Sequence, residues 1–140
     1  MQTEKVLVTV LGLTDRPGEE TERIEITAPG TLSSRDRIRY LRYDEYPDES
    51  GEPVHTFVKL LEGSLEVIRS GMIRTRMVFE TGRRYATSYA TSFGSMQMEF
   101  FTHDTWLHSD DRSLNAGARY DLSINGEAAA VCEIRMEIRF

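Results

Sequence analysis

Arg69, Tyr85 and Tyr89 are the residues of this chain whose types and spacing come closest to a binding site. Alternate residues of a strand share a face, so Tyr85 and Tyr89 point the same way. An arginine facing them across an otherwise apolar wall needs an anion, because a buried guanidinium without one is costly. The chemistry is then non-covalent recognition of a carboxylate or phosphate; the structural alternatives are an internal ion pair to Glu45 or Glu66, or emergence of the guanidinium at the barrel rim by snorkelling. Arg76, Glu45 and Tyr120 complete the candidate ligand-binding set.

Other residue sets promise less. His103 and His108, with Asp104, Asp110 and Asp111, form a polar cluster, but a five-residue histidine spacing is not a recurrent zinc pattern, and no metal is expected. Gly94-Ser95-Met96 lacks the flanking glycines and the strand-to-helix setting of a serine nucleophile. The reading therefore leans against an enzyme and calls for no cofactor. Arg35, Arg37 and Arg39 share a strand face, with Arg42, Tyr40 and Tyr43 nearby, which makes a basic stripe. The net charge of −6 and the interleaved acids weigh against nucleic acid as its partner.

The single cysteine, Cys132, excludes an intrachain disulfide framework and suits a cytoplasmic address. The apolar stretch VLVTVLGL has no cleavage site after it, and no run approaches the ~18 apolar residues of a membrane helix. A soluble protein without membrane partners is expected, and a homo-oligomer is compatible with the sequence.

The elements that must position these residues read as strands. The 140 residues suit one domain. At the C-terminus Cys132, Ile134, Met136, Ile138 and Phe140 alternate with Glu133, Arg135, Glu137 and Arg139, the pattern of a strand wet on one side. Asn125-Gly126 before it is the dipeptide of a type I′ hairpin turn. Ser70-Gly71, Thr81-Gly82 and Phe93-Gly94 recur every eleven or twelve residues, as turns do in an antiparallel meander. Strands are expected near 4–13, 20–28, 35–45, 54–61, 64–70, 73–79, 84–91, 95–103, 117–124 and 128–139. Residues 46–53 read as a loop, and 102–117 as a longer loop or partly an extension of its strands. A meander of this length protects its edges by closing, so an all-β, up-and-down antiparallel barrel of about eight to ten strands is expected.

Two registers are open across Ser70-Gly71. A two-residue turn sets Ile68 opposite Ile73 and Glu66 opposite Thr75. A three-residue loop sets Arg69 opposite Ile73, Val67 opposite Thr75 and Leu65 opposite Met77, and is preferred because it buries Leu65 and Val67 together. Across Glu80-Thr81-Gly82, a three-residue loop sets Met77 opposite Tyr85 and Thr75 opposite Thr87, which makes the repeat YATSYATS a strand.

The order Tyr43-x-Glu45, Ile68-Arg69-x-Gly71, Arg76-Met77-x-Phe79-Glu80-x-Gly82, Tyr89-x-Thr91-x-x-Gly94, Thr102 and Tyr120-x-Leu122 resembles the YwiB-like small bacterial proteins of unknown function. The resemblance covers about residues 20 to 140 and implies a calycin-like barrel, distantly lipocalin-shaped, with no established activity, substrate or cofactor. The function expected is non-covalent binding of a small amphipathic anion inside the barrel. The alternative is a protein-interaction or regulatory module whose barrel is filled and takes no small molecule.

Overall fold

The computed structural model describes residues 2–46, 49, 51–71, 74–91 and 93–140. Ten strands follow in chain order: β1 Gln2–Asp15, β2 Glu22–Arg35, β3 Ile38–Glu45, β4 Val54–Leu61, β5 Ser64–Ser70, β6 Thr75–Glu80, β7 Arg84–Thr91, β8 Gly94–Ser109, β9 Ser113–Ile124 and β10 Glu127–Arg139. All pairings are antiparallel. The sheet order is β6-β5-β4-β3-β2-β1-β10-β9-β8-β7, a nearly closed barrel, and no helix occurs among the described residues.

The alternation read from the sequence produces the core. In β10, Cys132, Ile134, Met136 and Ile138 are buried while Val131, Arg135 and Glu137 are exposed; Phe140 lies past the strand end and is half exposed. Val8, Val58, Val67, Phe79, Leu114 and Ile138 are fully buried, each worth about 1.5–3 kcal/mol by transfer from water. The barrel centre is filled by rings: Phe79 lies 4.5 Å from Tyr120 and 5.5 Å from Phe100, centroid to centroid. Ile124 pairs with Glu127 around Asn125-Gly126, and both turn residues take positive φ (50° and 84°), as a type I′ turn requires.

Strand ends differ from the sequence reading where long-range pairing extends them. β2 runs on to Arg35 because Ala28 to Gly30 pair with β1. The turn falls at Asp36-Arg37, with Asp36 at φ 57°, so Arg35, Arg37 and Arg39 do not form one strand face. Most of 102–117 is strand: β8 and β9 continue to a short turn at Asp110-Asp111-Arg112. There the Asp110 carboxylate accepts the backbone N–H groups of Arg112 and Ser113, both at 2.8 Å, which holds its carboxyl below the usual range.

Two registers also differ. Arg69 lies opposite Thr75, Val67 opposite Met77 and Leu65 opposite Phe79. The inward set is the one preferred from the sequence, displaced by two residues because the connection is longer; Met72 and Ile73, and the turn residue Ser92, lie outside the described residues. β6 and β7 are the two ends of the sheet, and the ladder expected between them is replaced by β7 on β8, with Tyr85 opposite Phe100 and Tyr89 opposite Met96. The connection spends its donors elsewhere: Thr81 N–H donates to the Gly63 carbonyl and Gly82 N–H to the Thr102 carbonyl, drawing the chain across the seam.

Gly117 shows how tightly the outer layer packs. A Cβ at this position would overlap the Trp106 indole and the Ile134 carbonyl. Gly117→Ala is therefore expected to destabilise by about 1–3 kcal/mol, the cost of overpacking, seen as a lower urea midpoint at unchanged slope. An unchanged midpoint would show that the indole lies elsewhere.

Candidate functional site

The ladder registers bring Gly30, Tyr43, Thr56, Arg69 and Thr75 opposite one another across β2 to β6, on the inward face. Glu45, two residues beyond Tyr43, shares that face. The result is a polar belt above the aromatic centre, at the barrel end where β3, β5 and β7 finish. It arises from period-2 alternation: Leu41, Val58, Val67 and Met77 form the apolar level below, one strand step inward.

The belt is incompletely satisfied. Arg69 Nη2 lies 3.6 Å from Glu45 Oε1, with the side chains 30% and 18% exposed, so the charges compensate at more than a charge-assisted hydrogen-bond length. Thr56 Oγ1 donates to the same Glu45 oxygen at 3.5 Å. Among the described residues, Arg69 Nε, the Tyr43 hydroxyl and Thr75 Oγ1 are buried without a hydrogen-bond partner. The Tyr43 hydroxyl is near enough to Glu45 and Thr56 to feel both, yet it bonds properly to neither. Burial first, and the Glu45 charge second, push its titration well above the usual phenol range, with Arg69 opposing. Each buried group left unpaired costs about 1–3 kcal/mol, so three at one level form an unmet demand for acceptors.

The residues singled out from sequence are distributed unevenly. Arg69 and Glu45 meet, as the internal ion pair predicts. Arg76 belongs to the outer face, where its Nε donates to Glu66 at 2.8 Å and its side chain is 59% exposed. Tyr120 is part of the aromatic centre, within electrostatic reach of Arg69, and lies opposite Cys132 in the β9–β10 ladder. Burial raises the Cys132 pKa, and Thr14 and Tyr120 partly offset that. Tyr85 and Tyr89 point inward and are half-buried, Tyr85 against the core, but among the described contacts neither touches Arg69. His103 faces outward and pairs with Asp121 of β9 at 2.8 Å; among the described residues no three His, Cys, Asp or Glu side chains are placed to hold a metal.

Tyr43, Thr56 and Thr75 are the belt members that the sequence reading did not select. The available signal was Tyr43-x-Glu45, a same-face pair, but their alignment with Arg69 depends on four consecutive ladder registers. One of those registers crosses the β5–β6 connection, which is longer than a three-residue loop.

A family model described as a domain of unknown function, DUF1934, matches residues 8–136. The uncharacterized β-barrel protein YwiB of Bacillus subtilis (strain 168) is 28% identical over 106 residues, which cover 76% of this chain and 73% of that protein. The crystal structure of ywiB protein from Bacillus subtilis superposes with a TM-score of 0.85 at 24% identity, covering 99% of this chain and 93% of that one. The arrangement of strands is thus that of a known barrel.

Proposed function

Because the chain belongs to the DUF1934 family, whose description assigns no activity, we propose from its own geometry that the barrel end around Arg69 binds the acidic head of a small amphipathic molecule non-covalently. One observation carries this: Tyr43, Arg69 and Thr75 present three buried hydrogen-bond donors at a single level that have no partner among the described residues. A carboxylate or phosphate offers several acceptor lone pairs at once, and its charge complements the guanidinium. The half-buried inward side chains of Met77, Tyr85 and Met98 supply apolar surface for the tail. With Phe79, Phe100 and Tyr120 filling the centre, the ligand lies toward the barrel end and does not run through the barrel.

In this reading Glu45 is the intramolecular anion that a ligand must share or displace. Glu45→Gln is therefore expected to tighten binding of octanoate by about tenfold or more, since two like charges on one guanidinium, about 4–8 Å apart, repel by roughly 2–4 kcal/mol at an effective dielectric of ~20. Isothermal titration of octanoate into both proteins reads the difference directly. Weaker binding to the glutamine variant would count against the proposal, as it would make Glu45 a supporting contact for the ligand.

The filled aromatic centre also favours a second reading, a structural Arg69–Glu45 pair inside a protein-interaction module. Native mass spectrometry of freshly purified protein separates the two, since a retained acidic small molecule belongs only to the first.

A further inference from the structure

The exterior of a barrel is convex, and a ladder in regular register gives it no reason to hollow. Yet the outer face of β8, β9 and β10 holds a groove of about 690 Å³, whose lining reaches Asp15 and Pro17. Two register shifts fall there. The β8–β9 ladder skips His103 between Thr102 and Asp104, and the β9–β10 ladder skips Ala129 between Ala128 and Ala130. A bulge bends its strand and re-aims the extra side chain. Both extra residues line this groove.

The groove has two kinds of wall. Ala129 and Val131, the latter 49% exposed, give an apolar side. Opposite them His103 Nε2 lies 2.8 Å from Asp121 Oδ2, and the imidazole meets the Phe101 ring edge-on with centroids 4.9 Å apart. The lining carboxylates are Asp15, Glu99 and Asp121, against the guanidinium of Arg84. Arg84 is already paired with Glu99 at 2.8 Å and sits 5.2 Å over the Phe101 ring. The protein therefore places a cation of its own on that ring, and the remaining charge of the groove is negative.

We propose that this groove binds a small organic cation, an amine or amidinium carried on an aromatic or branched apolar body. The cationic head lies toward Asp121 and Asp15, and the body lies against Val131, Ala129 and Phe101. The volume is in the range of small-molecule sites, about 300–1,000 Å³. The site is on the outer face and is independent of the Arg69 belt inside.

The test uses benzamidinium and benzoate as matched probes, followed by backbone amide NMR on the whole chain. Benzamidinium at millimolar concentration should shift the amides of Phe101, His103, Ala129 and Val131, and benzoate should not. Asp121→Asn should weaken benzamidinium by about tenfold, the loss of a hydrogen bond to a charged group, whereas Glu25→Gln, an equal charge change on exposed β2, should leave it unchanged. Arg69→Leu should also leave it unchanged, which keeps this site separate from the interior one. Equal shifts from benzoate, an equal loss in Glu25→Gln, or no shift at those amides would each overturn the proposal.

Discussion

Replacing Arg69 with leucine is expected to weaken binding of octanoate by about 1.5–3 kcal/mol, the worth of a hydrogen bond to a charged group, or roughly ten- to 150-fold. Methyl octanoate should bind wild type and variant alike. The difference follows from what is removed: Arg69 Nε is a buried donor with no partner among the described residues, and its Nη2 meets Glu45 only at 3.6 Å, so the guanidinium retains capacity for an added anion. Leucine keeps the apolar stem and loses both donor and charge. Because Glu45 is then left uncompensated, Arg69→Lys serves as the companion variant. It keeps the charge, lacks the planar fork, and should show an intermediate loss. Calorimetric titrations of acid and ester against the three proteins give the comparison, and equal losses for acid and ester would mean that Arg69 does not read the anion.

The largest stability effect should come from Phe79→Ala, at about 3–5 kcal/mol. Phe79 is fully buried, and its ring contacts both Phe100 and Tyr120. It belongs to β6, at one end of the sheet, while Phe100 and Tyr120 belong to β8 and β9, near the other end. Phe79 therefore ties the barrel together where β6 and β7 lack a ladder. Removing it deletes apolar contact and leaves a cavity that strands fixed by neighbouring ladders cannot collapse to fill. Against a typical total of about 5–15 kcal/mol, the loss should be plain in urea unfolding. A change below about 1 kcal/mol would mean that the seam is closed by something other than these rings.

What was legible in the sequence is what depends on local pattern. Alternation in residues 130–138 and the Asn125-Gly126 turn give the last hairpin without help from the rest of the chain. The repeat YATSYATS resolves the same way, with Tyr85 and Tyr89 half-buried and Arg84, Ala86 and Ser88 exposed. The Arg69 pair was legible in part: an inward cation implies a carboxylate, but the sequence leaves Glu45 and Glu66 both open, and only the structure gives Arg69 to Glu45 and Glu66 to Arg76.

What was not legible depends on distances between strands remote in sequence. A hairpin rule set β6 against β7, but Thr81 continues the β5–β6 pairing by donating to Gly63, while Gly82 donates to Thr102 of β8, a partner that only the closed barrel brings near. Arg76 shares a motif with Met77 and Phe79 but has the opposite parity, so it faces Glu66 outside the barrel. The groove at His103 depends on two bulges, and nothing in the composition of residues 102–104 or 128–130 marks an extra residue.

The central claim is that the Arg69 guanidinium receives an external acid at the polar belt. It is tested most directly by the ¹⁵Nε–¹Hε resonance of Arg69, assigned by its loss in Arg69→Lys, during titration with octanoate and with methyl octanoate. The account predicts that octanoate moves this resonance downfield in proton shift to saturation, as a partnerless N–H gains a carboxylate acceptor, while the ester leaves it in place. A resonance that stays fixed up to millimolar octanoate, or that follows acid and ester equally, would contradict it and leave Arg69 and Glu45 as a structural pair.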